Sequence, residues 1–366
     1  MRYLKADIIY PLYCPPIKNG VLVVDNMGEI KDILSCDKGL INIEYYKGIL
    51  CPGFVNTHCH LELSHLSGKI PKNTKLPSFL HQISKNRTLT DVDVKKYIQK
   101  ANLEMRKNGI VAVGDISNTS LTFEIKKTSE IYYHTFIEIF SLDKRKAEEV
   151  YSSALSLKKK CSTKSSIVPH ATYSVSEELF NIISKNNNGE IICIHNQETK
   201  SEDEHFSKNS GDLNFYLNKY AKNEYKETSA LKFAVNRMPN CSTMLVHNTY
   251  TSSEDVKWAT KNISDLYWCT CPQANIYIED KLPDYNLFLN SKMTIGTDSL
   301  ASNDTLSIWS EIKTLKKHTK IDLNTLLTWG CKNGAEFLKM DHLGTFEKGK
   351  RPGVNNIFNS KINVLF

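Results

Sequence analysis

The 366-residue chain is 40% hydrophobic and 24% charged, which excludes wholesale disorder and a fibrous protein and leaves enough apolar material for a sizeable core. Forty-seven basic against 40 acidic side chains give a net charge of +7, but the lysines are spread along the chain with no basic patch interleaved with aromatics, so nucleic acid is not an expected partner. No apolar run approaches the roughly 18 uncharged residues of a membrane span, and the start MRYLKADIIYPLYC carries an Asp inside its only short apolar stretch, so the chain is expected to be cytoplasmic, unprocessed and not membrane-bound.

Residues 1–50 read as short alternating strands with turns around Pro15–Pro16, Asn19–Gly20 and Met27–Gly28. Apolar runs then alternate with helical patterns. Strand candidates are 53–60, 109–116, 131–140, 166–173, 190–196, 243–249, 265–271 and 293–298. Between them, 91–108, 144–160, 176–187, 227–237, 252–262 and 304–318 carry apolar residues at helical spacing, with Thr90, Ser176 and Ser252 or Ser253 as caps. Eight βα units in series predict an α/β fold, a TIM (β/α)8 barrel over 51–340. The tail GTFEKGKRPGVNNIF is strand-like and turn-rich, so residues 1–50 and 341–366 are expected to assemble a small β-sandwich domain. The polar segment 199–225 follows the fifth strand directly and reads either as a lid over the active face or as a solvated surface insertion.

Ten cysteines are scattered, several through apolar runs (Cys51, Cys193, Cys241, Cys331), and no CxxC occurs. They read mostly as small buried hydrophobes. Cys269 and Cys271 form a CxC pair that lacks the second pair of a good zinc site.

The chemistry is concentrated at strand ends. In Asn56-Thr57-His58-Cys59-His60 the two histidines lie two apart and share one face of a strand. His170, His195, His247 and Asp298 close four other candidate strands, where catalytic groups of such barrels gather. Neutral imidazoles and one carboxylate suit Zn²⁺ or Fe²⁺ and leave a position for water, which ionises near neutral pH when so bound. Glu198, three residues after His195, is either a proton shuttle at such a centre or a solvated loop residue.

The ordered motifs PGFVNTHCH (52–60), VPHATYS (168–174), HNQET (195–199), LVHNTY (245–250), CPQANIYI (271–278), GTDSLASN (296–303) and the tail GTFEKGKRPG (344–353) resemble the amidohydrolase superfamily over nearly the whole chain. The resemblance is to its mononuclear branch of cytosine, guanine and adenosyl-nucleoside deaminases and chlorohydrolases. It implies that His58, His60, His195 and Asp298 hold one divalent ion, zinc before iron(II), and that Asp298 also acts as base toward the attacking water. Glu198 would protonate the ring nitrogen, His247 would hold or polarise the attacking hydroxide, and His170 would line the substrate pocket. Binuclear relatives carry a lysine where His170 stands, so one metal is implied.

Asn275, Ser302 and Asn303 match family positions that shape the pocket rim or bond to the groups around the metal. Glu62, in HCHLELSH, looks like the branch containing aminodeoxyfutalosine deaminase and is a candidate for ribose or base contact, or else for a charge pair at the mouth. Arg87 and Glu202 are further substrate-binding candidates. Relatives often end in Gly-Lys-Asp-Ala-Asp where this chain has Gly349-Lys350-Arg351-Pro352-Gly353, a departure placed away from the chemistry.

The expected activity is hydrolytic deamination of an aminated purine nucleoside or base, with aminodeoxyfutalosine and adenosylhomocysteine-like molecules as the named possibilities. A chlorohydrolase or cyclic-amide hydrolase is the alternative, and an inactive scaffold the third. The complete ligand set, with Glu198 and His247, argues against the last. The partner is a small-molecule substrate, and the resemblance implies a homodimer.

Overall fold

The computed structural model describes residues 1–87, 89–220, 225 and 229–366. The chain opens with β1 (Arg2–Ile9), β2 (Ile17–Lys18), β3 (Val21–Val24), β4 (Ile30–Leu34) and β5 (Ile43–Pro52). Eight further strands follow, β6 (Phe54–Cys59), β7 (Ile110–Ser117), β8 (Tyr132–Ile139), β9 (Lys164–Pro169), β10 (Ile192–Asn196), β11 (Thr243–His247), β12 (Leu266–Thr270) and β13 (Lys292–Ile295). The chain ends with β14 (Val354–Phe358) and β15 (Lys361–Val364).

β6 to β9 form one parallel sheet in chain order, and β10 to β13 form a second. The two meet at both pairs of edges, through parallel bridges between Ala171 and His195 and between Cys59 and Asp298. Every residue of β6, β7, β10 and β11 is buried, as expected of parallel strands covered on both faces. All eight candidate strands are present. The fourth is shifted: β9 begins at Lys164 and stops at Pro169, so the chain turns at His170 where an extended run to 173 was expected.

The expected helices form over Asp91–Lys107, Ala147–Lys158, Glu177–Asn186, Ala230–Val235, Ser253–Asn262 and Ile308–His318. Residues 227 and 228 of the fourth expectation, and 221–224 of the segment 199–225, lie outside the described residues. The Thr90, Ser176 and Ser252 side chains accept from the backbone N–H of Asp93, Leu179 and Asp255, satisfying donors the first helical turn leaves free. The segment after β10 is more ordered than a solvated insertion. It contains helices Lys200–Lys208 and Gly211–Leu217, with Phe206, Leu213 and Leu217 buried. Only three of their apolar side chains are buried, and the first helix has a single one, Phe206, too few to announce it in a polar sequence.

Both termini build one seven-stranded sheet, ordered β15-β14-β5-β1-β3-β4 with β2 on β1. The tail pairs with the N-terminal strands as expected, Val354 opposite Pro52 and Ile357 opposite Ile49. In place of two separate facing sheets, these strands share one hydrogen-bonded sheet around Leu4, Leu22, Leu50 and Phe346. Gly53 alone joins β5 to β6, its N–H bonded to the Pro352 carbonyl. All ten cysteines are free thiols and seven are buried, Cys269 and Cys271 among them. Among the described residues, no helix is long and apolar enough to cross a membrane.

Candidate active site

The C-terminal ends of β6, β10, β11 and β13 deliver His58 and His60, His195, His247 and Asp298 to one buried place. The His60 Nε2 atom lies 3.2 Å from His58 Nε2 and 3.3 Å from His195 Nε2. Asp298 Oδ1 is 3.4 Å from His60 Nε2 and 3.8 Å from His58 Nε2. His58, His195 and His247 also bring ring nitrogens within 4.8 Å of one another.

Local geometry explains the convergence. The His58 carbonyl accepts the N–H groups of both Thr297 and Asp298, so the end of β13 is tied to the strand carrying the two histidines. Gly296 permits this approach, because a Cβ there would stand 2.7 Å from the His58 Cβ. Asn56 completes the tie by accepting the Thr297 N–H and donating to its hydroxyl. Asp298 itself has φ of 57° and His247 of 73°, left-handed backbone that non-glycine residues adopt at a cost of about 1–3 kcal/mol and that clusters at functional sites.

The donor set fits a divalent cation. His195 donates from Nδ1 to the His170 carbonyl at 2.6 Å, which leaves a lone pair on the Nε2 that faces His60. Burial, reinforced by neighbouring imidazoles, holds His58 and His60 well below the ordinary histidine range and His195 down at about 3. All three are therefore neutral, the form that ligates. Three nitrogens and one carboxylate oxygen in a buried cluster match the mononuclear sets of zinc and iron(II).

Glu198 reaches the same place by a turn at Gln197, whose φ is 44°. Its carboxyl is buried, with Oε1 3.8 Å from His247 Nε2. Burial first, then the charges of Asp298 and Glu279, push it well above the usual carboxylate range. A buried carboxyl raised in this way can hold and hand on a proton.

The substrate-binding candidates divide. His170 stands at the site with its ring 4.9 Å from that of His195 and its Nδ1 bonded to Ser174. Glu62 is buried, accepts from the Asn118 and Thr119 N–H groups and the Thr119 hydroxyl through one oxygen, and is pushed up to about 7 by burial against the pull of Arg87. Arg87 is exposed just beyond helix Leu76–Asn86, and its charge opposes the effect of burial on the Glu62 and Glu138 carboxyls.

The other four bond to protein groups in and around the site. Asn275 bonds His247 Nδ1, Ser302 donates to Asp298 at 2.5 Å, and Asn303 donates to the Thr297 carbonyl and to Glu311. Glu202 is fully buried, with both oxygens taken by the backbone of 197–199 and by Thr172. These side chains act on protein groups because each is short or enclosed and meets an unpaired donor or acceptor first.

Glu138, near the end of β8, was not singled out from the sequence. It lies 3.7 Å from His195 Nδ1, accepts from Asn118, and joins His60 and His195 in a third cation-competent group. Its one signal was a carboxylate inside the apolar run FIEIF. Asp115 on β7 was also missed. It accepts the Leu61 N–H just beyond His60 and pairs at 2.6 Å with the fully buried Lys126.

Residues 49–357 match the Amidohydrolase family. The chain is 25% identical over 362 residues to an adenosine deaminase of Helicobacter pylori, covering 93% of this chain and 88% of that one. Among solved structures it resembles Helicobacter pylori aminofutalosine deaminase in complex with methylthio-coformycin, with a TM-score of 0.82, 20% identity, and 97% and 91% of the two chains covered. A Xanthomonas campestris adenosine deaminase with bound zinc superposes with a TM-score of 0.76 and 18% identity over 96% of this chain and 83% of that one.

Proposed function

Because the chain belongs to the Amidohydrolase family, we propose that it is a metal-dependent hydrolytic deaminase that releases ammonia from an aminated purine nucleoside or base. Residues 51–340 are read as a (β/α)8 barrel, supported by the two parallel sheets bridged at both edges. Residues 1–50 and 341–366 are read as a small β-domain beside it. His58, His60, His195 and Asp298 would hold one divalent ion, Zn²⁺ before Fe²⁺. Bound there, it would lower the pKa of water into the neutral range.

The remaining chemistry belongs to side chains of this protein. Water adds to the ring carbon that bears the amine, and Asp298 accepts a proton from that water. Glu198 delivers a proton to the adjacent ring nitrogen, and His247, fixed through Nδ1 by Asn275, accepts a hydrogen bond at Nε2 from the adding oxygen. Asp298 passes the proton it took from water to the amine, collapse of the tetrahedral carbon breaks the C–N bond and releases ammonia, and the remaining O–H proton returns to Glu198 as the carbonyl forms. His170 and Glu62 border the space for the substrate.

One observation carries this reading: the buried Glu198 carboxyl stands 3.8 Å from His247 Nε2, and His247 shares with His58 and His195 one of the overlapping groups that could hold a cation, the next of which joins His58 to His60 and Asp298. The test is ammonia release by the zinc-loaded protein from adenosine, 5′-deoxyadenosine, S-adenosylhomocysteine and aminodeoxyfutalosine, with Glu198→Gln alongside. Turnover by the wild type that falls about 10²–10⁴-fold in the variant supports the reading, the usual range for one acid–base group. Silence from a wild type that holds one zinc per chain rejects the nucleoside assignment.

A further inference from the structure

We infer that Glu202 is a positioning residue that sets the proton donor in place by clamping the turn that carries Glu198, with no contact to substrate. The inference rests on the reading of Glu198 as that donor. The Glu202 side chain is wholly buried, so its carboxylate must satisfy itself within the protein. It does so on four donors. Oε1 accepts the N–H of Glu198 at 2.7 Å and of Thr199 at 3.3 Å, and Oε2 accepts the N–H of Gln197 at 3.0 Å and the Thr172 hydroxyl at 2.9 Å.

An ordinary capping box satisfies one N-cap N–H, and the pairing with Thr199 is of that kind. The bonds to Gln197 and Glu198 go further, into the segment between the strand and the helix. Gln197 sits at φ of 44°, in the left-handed region. Three consecutive N–H groups aimed at one carboxylate supply a reason for the chain to hold that turn. The same carboxylate, through Thr172, ties this turn to the one after β9, which begins at His170. The two loops that flank His195 are thereby locked to each other. Asp203, the next residue, receives the Gln197 side-chain amide at 3.0 Å, so the first turn of helix Lys200–Lys208 grips the turn by backbone and side chain together.

Glu202→Gln cannot preserve the clamp. Whichever way the amide lies, one of the two oxygens becomes an NH₂ that faces two donors. The first measurement is hydrogen exchange. In the wild type, the Gln197, Glu198 and Thr199 amides should exchange as slowly as those of β10, although they belong to no strand, and in Glu202→Gln they should open by about tenfold or more while β6 and β11 are unchanged. Loop-like exchange of these amides in the wild type overturns the proposal even if the variant does not fold.

The second measurement separates positioning from substrate contact and from general loosening. With the nucleoside that the wild type turns over fastest in the panel above, Glu202→Gln should lower kcat about 10- to 100-fold with KM within about threefold, the pattern of a group felt at the transition state. In a Glu198→Gln background, in single turnovers with enzyme in excess, the same change should cost less than about twofold, because residues acting through one group are not additive. A full loss in both backgrounds, or a loss confined to KM, overturns the inference. If Glu198→Gln leaves the rate intact, the reading of Glu198 has failed, and the exchange data still decide whether the clamp exists.

Discussion

The Asn275 side-chain oxygen accepts a hydrogen bond from His247 Nδ1 at 2.8 Å. Because that oxygen can only accept, the proton sits on Nδ1 and Nε2 keeps its lone pair, directed to the side where Glu198 lies 3.8 Å away. The two residues come from different elements, His247 from the end of β11 and Asn275 from helix Pro272–Glu279. Their pairing leaves His247 Nε2 able to accept a hydrogen bond. Asn275→Ala should free the ring to take the other tautomer and lower kcat by about tenfold, with a loss of about 1 kcal/mol in stability from the broken bond. Steady-state kinetics and urea unfolding of the variant check both figures, and a variant with wild-type kcat would remove His247 from the chemistry.

Chelation tests the cation site. The histidines of the cluster are buried and neutral, so they are ready to ligate, and a cation present at 1,000 times its Kd would add about 4 kcal/mol of stability. Dialysis against a strong chelator should abolish turnover and lower Tm, and zinc should restore both at one ion per chain. His60→Ala should show the low Tm with or without zinc.

Beneath the site, Lys126 and Asp115 pair at 2.6 Å with both side chains fully enclosed. Lys126 also donates to Ser117 and Thr135. Removing one partner strands the other charge, so Lys126→Met should cost about 3–5 kcal/mol, whereas Lys126→Met with Asp115→Leu should recover most of it. Denaturant unfolding of the two variants gives the comparison. Asp115 also accepts the Leu61 N–H next to His60, so the double variant should bind zinc more weakly than the wild type despite its recovered stability.

The buried Glu311 predicts a pH effect on stability. Burial pushes its carboxyl up to about 8, against donors from Gln273 and Asn303 that pull it down. Its ordinary value is 4.5. Between the two, the folded state holds more protons than the unfolded one, so stability falls as pH rises through that window. Glu311→Gln has no such proton to lose. Thermal unfolding from about pH 5 to 8.5 should show the wild type losing Tm relative to the variant as pH increases, and parallel curves would place the titration elsewhere.

Much of the molecule was legible in its sequence because the informative patterns are local. Apolar runs bounded by turns located all eight parallel strands, and Thr90, Ser176 and Ser252 marked helix starts, since a capping side chain bonds within its own first turn. The HxH spacing needed only the two-residue period of a strand to put His58 and His60 on one face. The histidines and aspartate at other strand ends then suggested a shared centre; His195, His247 and Asp298 do join His58 and His60 there, and His170 stands beside His195.

What the sequence could not decide is where polar side chains find partners across the fold. From the sequence, Asn275, Ser302 and Asn303 could shape the pocket rim or bond to the groups around the metal, and Glu202 could meet a substrate; they are bound to His247, Asp298, Glu311 and the 197–199 backbone. Glu138 and Asp115 were passed over inside apolar strands, though both sit against the centre. A buried polar group takes the nearest complementary group in space, and for these residues that group lies on another element or across a turn. Periodicity and motif therefore determined which residues stand at the strand ends, and only tertiary packing decided which of them face the reaction and which hold the others in place.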